Sequence, residues 1–116
     1  MKFYCIKTCS TCKKARAWLE KNKVSVEEID LKKEAPSKKE LLSALSKSEL
    51  EPRRFFNTSG HVYRELNLKE QAASLSEEEV ATLLSQHPML IKRPLLVTKD
   101  KVLVGFKEEE YETLID

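Results

Sequence analysis

The sequence predicts an α/β domain, a mixed sheet with an all-helical segment set into it. Three patterns carry that reading. An apolar N-terminal run, a helical periodicity and a second strand-like run form a βαβ unit. From about residue 37 to 87 there are helix caps and helical spacing but no strand pattern. Near the end, two short apolar runs are joined by a tight polar turn.

Met1 to Ile6 is apolar at nearly every position, as in a strand covered on both faces. From Cys12 the pattern becomes helical, with Ala15, Trp18 and Leu19 on one side and Lys13, Lys14, Arg16, Glu20 and Lys21 on the other. Asn22-Lys23 ends that helix. Val24-Ser25-Val26 and Ile29-Asp30-Leu31 then alternate apolar and polar, and Glu27-Glu28 between them reads as a bulge or a twisted edge. A right-handed crossover makes the two strands parallel. After Pro36, Ser37 and Glu40 have capping-box spacing before Leu41, Leu42, Ala44 and Leu45. Glu51-Pro52 starts a helical turn carrying Arg53, Arg54, Phe55 and Phe56, which Asn57-Thr58-Ser59-Gly60 ends. Tyr63, Leu66 and Leu68 belong to one or two short helical pieces. Ser76 followed by three glutamates caps a helix with Val80, Leu83 and Leu84 at core spacing, and Pro88 closes it. Pro94 to Val97 and Val102 to Val104 form an antiparallel hairpin around Lys99-Asp100-Lys101. Phe106, Tyr111, Leu114 and Ile115 fit a closing helix on the sheet.

A chain of 116 residues, 41% hydrophobic, is expected to form a single domain over 1–116. Its 21 basic and 19 acidic residues are interleaved, which leaves no footprint for direct nucleic-acid binding. No apolar stretch approaches the roughly 20 residues that span a bilayer, and the N-terminus lacks the pattern of a signal peptide. The expected location is cytoplasmic, where thiols are kept reduced.

Three cysteines fall between positions 5 and 12. Cys9-Ser10-Thr11-Cys12 at a strand-to-helix turn reads as a thioredoxin-like redox motif. A thiolate is the nucleophile, so the anion needs stabilisation. Cys9, just before the helix, faces free backbone N–H groups, with Lys7 and Lys13 nearby, whereas Cys12 lies inside the first turn and is more shielded. Cys9 is thus the candidate nucleophile and Cys12 its candidate resolving thiol. Cys5 completes a Cys-x3-Cys-x2-Cys spacing like that of iron–sulfur radical enzymes. Its place inside a strand and the short chain argue against a cluster. With His61 and His87 isolated in sequence, a zinc site is not expected either. Cys5 is assigned to the core, His87 to structural packing at a helix end, and His61 to the surface. Arg53-Arg54 is open between an anion site and solvated charge.

Arg93-Pro94 stands at the head of a strand, where proline is tolerated and the X-Pro bond can be cis. In thioredoxin-like folds a cis-proline loop lies against the active-site cysteine, so Arg93 would be delivered to Cys9. A guanidinium there lowers the thiol pKa and holds an oxyanion.

Cys9 to Ala15, Phe56 to Gly60, Tyr63 to Leu68, His87-Pro88, Ile91 to Pro94 and Val104-Gly105-Phe106, in that order, resemble the ArsC/Spx family over nearly the whole chain. The resemblance implies a thioredoxin-like sheet with a helical insertion. It also implies a thiol-dependent oxidoreductase similar to arsenate reductase, acting on a small oxyanion or an oxidised thiol. Such enzymes bind no cofactor or metal and are regenerated by glutaredoxin with glutathione, or by thioredoxin. Cys9 matches their nucleophile. Arg93 matches one of three arginines that cradle the oxyanion, the other two falling at Asn57 and Gly105. Their histidine ahead of the cysteine is replaced by Cys5. Arg53, Arg54 and Lys92 are candidates for the missing charge, so the expected substrate-binding set is Arg93, Arg53 and Asn57. Cys12 is instead like the Spx branch, whose members use such a pair as a redox switch and bind RNA polymerase, which makes the polymerase α-subunit the alternative partner. The end at Asp116 and the motifs from Asn57 to Leu68 are more like the short reductase-like members.

Overall fold

The computed structural model describes residues 1–115, so the final residue of the expected 1–116 domain, Asp116, lies outside it. The N-terminal run forms β1 (Lys2–Cys5), and the first helix, α1 (Ser10–Lys21), begins two residues before Cys12 because Cys9 is its cap. The second strand, β2 (Glu27–Asp30), pairs parallel to β1 without a bulge, Lys2 opposite Glu27 through to Cys5 opposite Asp30. Glu27 and Glu28 are therefore ordinary residues of an edge strand, where charged side chains reach water. Glu28 is held there by Arg16, whose Nε and Nη2 donate to its carboxylate at 2.8 and 3.1 Å.

The middle of the chain contains α2 (Lys38–Ser48), a 3-10 turn at Pro52–Phe55, α3 (His61–Glu65), α4 (Leu68–Gln71), α5 (Glu77–Gln86) and a 3-10 turn at Pro88–Leu90. Helical structure thus persists to Leu90, slightly past Pro88, and is tied to the sheet side by a single antiparallel bridge, Phe56 with Ile91. The chain then returns as β3 (Leu95–Val97) and β4 (Val102–Val104), an antiparallel hairpin, giving the sheet order β2-β1-β3-β4. The closing helix is a single α turn, α6 (Glu108–Tyr111), continued by a 3-10 turn at Glu112–Ile115.

Strand alternation divides the core. Phe3, Cys5 and Leu96 face α1 and the closing helix, where Trp18 and Phe106 meet Tyr111 edge to face, with centroids 5.5 and 4.8 Å apart. Tyr4, Ile6 and Leu95 face the helical segment and pack with Leu41, Leu45, Phe55, Phe56, Val80 and Leu84. Two capping boxes start the helices of that segment: Ser37 accepts from Glu40 N–H and Ser76 from Glu79 N–H, while each glutamate returns a bond to the cap backbone. Glu40 also accepts from Lys2 at 2.8 Å. The hydrogen bond from Lys2, then the Ser37 N–H, pull its carboxyl down to about 2 from 4.5. Among the described residues no helix is long and apolar enough to cross a membrane.

Replacing Ser37 or Ser76 by Ala should each lower stability by about 1 kcal/mol in urea unfolding. Because the folded Glu40 is depressed, its stabilisation is complete above about pH 4.5 and is lost as pH falls through about 2. Glu40 is 43% exposed, so that contribution is small. The Glu40→Gln variant should accordingly show a shallower fall in stability across this window than the parent chain.

Candidate active site

Sheet pairing assembles the site. Because β1 and β3 are antiparallel, with Tyr4 opposite Leu95, the segment leaving β1 toward Cys9 lies beside the segment entering β3. That entering segment contains the cis Arg93-Pro94 bond. β4 is antiparallel to β3, with Val104 opposite Leu95, and Gly105 N–H donates to Pro94 C=O at 2.9 Å. The residues after β4 therefore reach the same edge. The Phe56–Ile91 bridge adds a fourth segment, in which Lys92 N–H donates to Phe55 C=O at 2.8 Å and Asn57 N–H to Leu90 C=O at 2.7 Å.

Cys9 is the N-cap of α1, with extended backbone (φ −78°, ψ 121°) and partial exposure. A cap residue faces backbone N–H groups that have no partner within the helix. Burial pushes the Cys9 thiol pKa up. That effect is outweighed by hydrogen bonds from Cys12 N–H, the Cys12 thiol, the Arg93 guanidinium and Thr11 N–H, so the net shift is downward. Cys12 is fully buried in the first turn, and burial pushes its thiol up to about 12. The two thiols are thus shifted in opposite directions, Cys9 toward the anion and Cys12 toward the protonated form. Arg93 is held from behind, Nη1 donating to Met89 C=O at 3.1 Å.

Cys9 opens into a cleft of about 560 Å³, lined also by Thr11, Asn57, Ser59, Lys92, Arg93, Phe106 and Lys107. Gly60, Val104 and Gly105 complete its wall. Gly105 has φ +76°, which disfavours a side chain there, and a Cβ would stand 3.4 Å from Lys92 Cε. Of the expected binding residues, Arg93 and Asn57 line this cleft together with Cys9, and Arg53 does not. Its exposed guanidinium is paired with Glu51 at 2.7 Å, two residues away on the same turn. The charge expected from Arg53 is present instead on Lys92 and Lys107. Thr11, Ser59 and Phe106 fall inside the motifs that carry the family resemblance without being singled out there as binding residues. Lys107 falls outside them, and its one available signal is the hairpin register, which carries whatever follows Val104 to the Pro94 side.

Cys5 is buried, as expected for a core position, yet it is not an apolar filler: Arg16 Nη2 donates to its sulfur at 3.2 Å. His61 is exposed and stands 3.1 Å from Glu65, and His87 is the C-cap of α5. Among the described residues no group of three or more His, Cys, Asp or Glu side chains could hold a metal ion.

The arrangement, a cap-stabilised thiol, a second thiol beside it and three cations around an open cleft, can attack an electrophile that carries negative charge and then close a disulfide. Known proteins resemble this chain in sequence and fold. The chain is 49% identical over 110 residues to the uncharacterized protein YusI of Bacillus subtilis, covering 95% of this chain and 93% of that one. It is 33% identical over 103 residues to the global transcriptional regulator Spx of Streptococcus pneumoniae, covering 89% of this chain and 76% of the regulator. The crystal structure of a possible arsenate reductase from Streptococcus mutans superposes with a TM-score of 0.86 at 41% identity, over 96% of each chain. The ArsC family model matches residues 4–114, and with a thioredoxin-like sheet and helical insertion in common with these structures, this chain belongs to the ArsC family.

Proposed function

We propose that the chain is a thiol-dependent oxidoreductase of the arsenate reductase kind. The observation that carries this reading is the Cys9 thiol, lowered in pKa at the head of α1 and opening into a cleft with Arg93, Lys92 and Lys107. Cys9 thiolate attacks the central atom of an oxyanion or the sulfur of an oxidised thiol, and Arg93 holds the negative charge, with Asn57 donating from the facing wall. Cys12 then attacks the Cys9 sulfur. With arsenate, two electrons pass from the thiol pair to arsenic, one arsenate oxygen leaves as water with the two thiol protons, arsenite departs, and a Cys9–Cys12 disulfide remains. Glutaredoxin with glutathione, or thioredoxin, restores the dithiol. No bound cofactor takes part.

A second reading has its own support in the Cys9/Cys12 pair and in the likeness to Spx. There the same disulfide switches a surface that binds the α-subunit of RNA polymerase, and no substrate is turned over. A pull-down with the C-terminal domain of the polymerase α-subunit, under reducing and oxidising conditions, separates the two.

Arsenate-dependent oxidation of each reductant system tests the first reading: the parent chain should turn over with at least one system and Cys9→Ser with none. Absence of turnover in every system removes the arsenate claim. Removing the Arg93 guanidinium takes away a charged hydrogen bond of about 1.5–3 kcal/mol, so Arg93→Ala should lower kcat/KM by about 10- to 100-fold.

Alkylation gives an independent check on the thiols. The lowered Cys9 and raised Cys12 and Cys5 predict that iodoacetamide at neutral pH labels Cys9 selectively. A folded-state thiol held low is an anion at pH values where an ordinary thiol is protonated. Arg93→Ala should therefore move the midpoint of the Cys9 labelling rate to higher pH, and an unmoved midpoint would show that Arg93 does not stabilise the thiolate.

A further inference from the structure

Cys5 has no part in the two-thiol reaction, yet its surroundings are those of a working sulfur. It lies on the same face of the sheet as Cys12, in the same core cluster, with exposures of 1% and 0%. Cys12 stands between the other two: it is buried with Cys5 in one cluster, and Cys9, three residues earlier at the cleft, packs against that cluster. The three do not converge as metal ligands. They stand in series, from the cleft through the first turn of α1 to β1. At the inner end Arg16 donates to Cys5 Sγ at 3.2 Å, and Glu28 fixes that guanidinium through two bonds of 2.8 and 3.1 Å. A guanidinium that donates to a buried sulfur stabilises negative charge there.

We propose that Cys5 is a third redox-active thiol, which attacks the Cys12 sulfur of a Cys9–Cys12 disulfide and returns Cys9 to the cleft as a free thiolate. This rests on the Cys9–Cys12 disulfide proposed above. In the step the Cys5–Cys12 bond forms, the Cys9–Cys12 bond breaks, Cys9 leaves with the electron pair, and the Cys5 proton passes to water. The number of disulfides is unchanged, so no further oxidant or reductant is consumed. Two features favour the direction. Cys9 is the better leaving group, because a thiol of lowered pKa departs faster. Arg16 compensates part of the burial that otherwise holds Cys5 in the thiol form. The product keeps the oxidising equivalent in the core while the nucleophile is again available in the cleft. Reduction then reverses the exchange through Cys9, the one partly exposed member of the three.

Trypsin distinguishes the two disulfides directly in the unmodified protein, because cleavage after Lys2, Lys7 and Lys13 places Cys5 on peptide 3–7 and both Cys9 and Cys12 on peptide 8–13. The reduced protein is oxidised with diamide, quenched with acid at intervals, blocked with N-ethylmaleimide, digested and analysed by mass spectrometry. The expected result is an internal loop in peptide 8–13 that declines with time while a cross-linked pair of peptides 3–7 and 8–13 grows, with the maleimide on Cys9. A loop that persists with no cross-linked pair overturns the inference and leaves the Cys9–Cys12 reading standing. A cross-linked pair with the maleimide on Cys12 also overturns it. No disulfide of either kind overturns both.

Discussion

The antiparallel pairing of β1 with β3 is the constraint on which the rest of the structure depends. β1 is a central strand, buried on both faces, with Phe3 and Cys5 on one side and Tyr4 and Ile6 on the other. A slip of one residue would exchange those sets between two differently shaped halves of the core. The register is therefore fixed by packing, and the register in turn fixes the chemistry. Cys9 follows β1 by four residues and Arg93 precedes β3 by two, so whatever holds Tyr4 opposite Leu95 also holds the thiol near the guanidinium. The hairpin adds Gly105 through its bond to Pro94, and the bridge at Phe56 adds Asn57. Segments distant in sequence share one edge because each lies only a few residues beyond a paired position.

Within that edge, Cys9 and Cys12 are separated by less than one helical turn and have opposite proton affinities. Both lose solvation on folding, which by itself favours the neutral thiol. Cys9 recovers that loss from backbone N–H groups at the helix start, from the Cys12 thiol and from Arg93. Cys12 is fully buried, which outweighs what its surroundings donate, and the neighbouring Cys9 and Cys5 oppose a further negative charge. The asymmetry in proton affinity between the two thiols thus follows from where the helix begins. With α1 starting at Ser10, Cys9 is the partly exposed cap and Cys12 is turned into the core from the first turn.

Periodic features are legible in the sequence: β1, the face of α1 formed by Ala15, Trp18 and Leu19, both capping boxes and the closing hairpin. The edge strand is less so. Val24-Ser25-Val26 alternates as well as Ile29-Asp30-Leu31, and only pairing with β1 selects Glu27–Asp30, leaving two glutamates inside a strand that local preference disfavours. At the site, Cys9, Cys12 and Arg93 are visible because each has a local signature: a spacing, a helix start, a proline. Lys107 has none, as its place depends on a hairpin register set by long-range packing. Arg53 misleads for the converse reason. Its charge is conspicuous in sequence, but Glu51 two residues earlier satisfies it on the surface. Hydrophobicity alone assigns Cys5 to the core, and no one-dimensional pattern connects it to Arg16 across a helix and a strand.

The composition of the cleft bears on what the cleft discriminates. Among its lining residues the planar fork of a guanidinium occurs once, at Arg93, and the other cations are lysines. A guanidinium selects an oxyanion by matching two of its oxygens, whereas an ammonium is a point charge on a flexible stem that accepts many geometries. Three arginines would define a tetrahedral anion closely; one arginine with Lys92 and Lys107 defines negative charge near a reactive thiol and leaves shape loosely specified. The small residues Ser59, Gly60 and Gly105 in the wall keep that space open. A redox switch would require the thiol pair but not this concentration of positive charge, while an enzyme for anionic electrophiles requires both. The cationic wall, more than the cysteines, is therefore the feature on which the two readings differ.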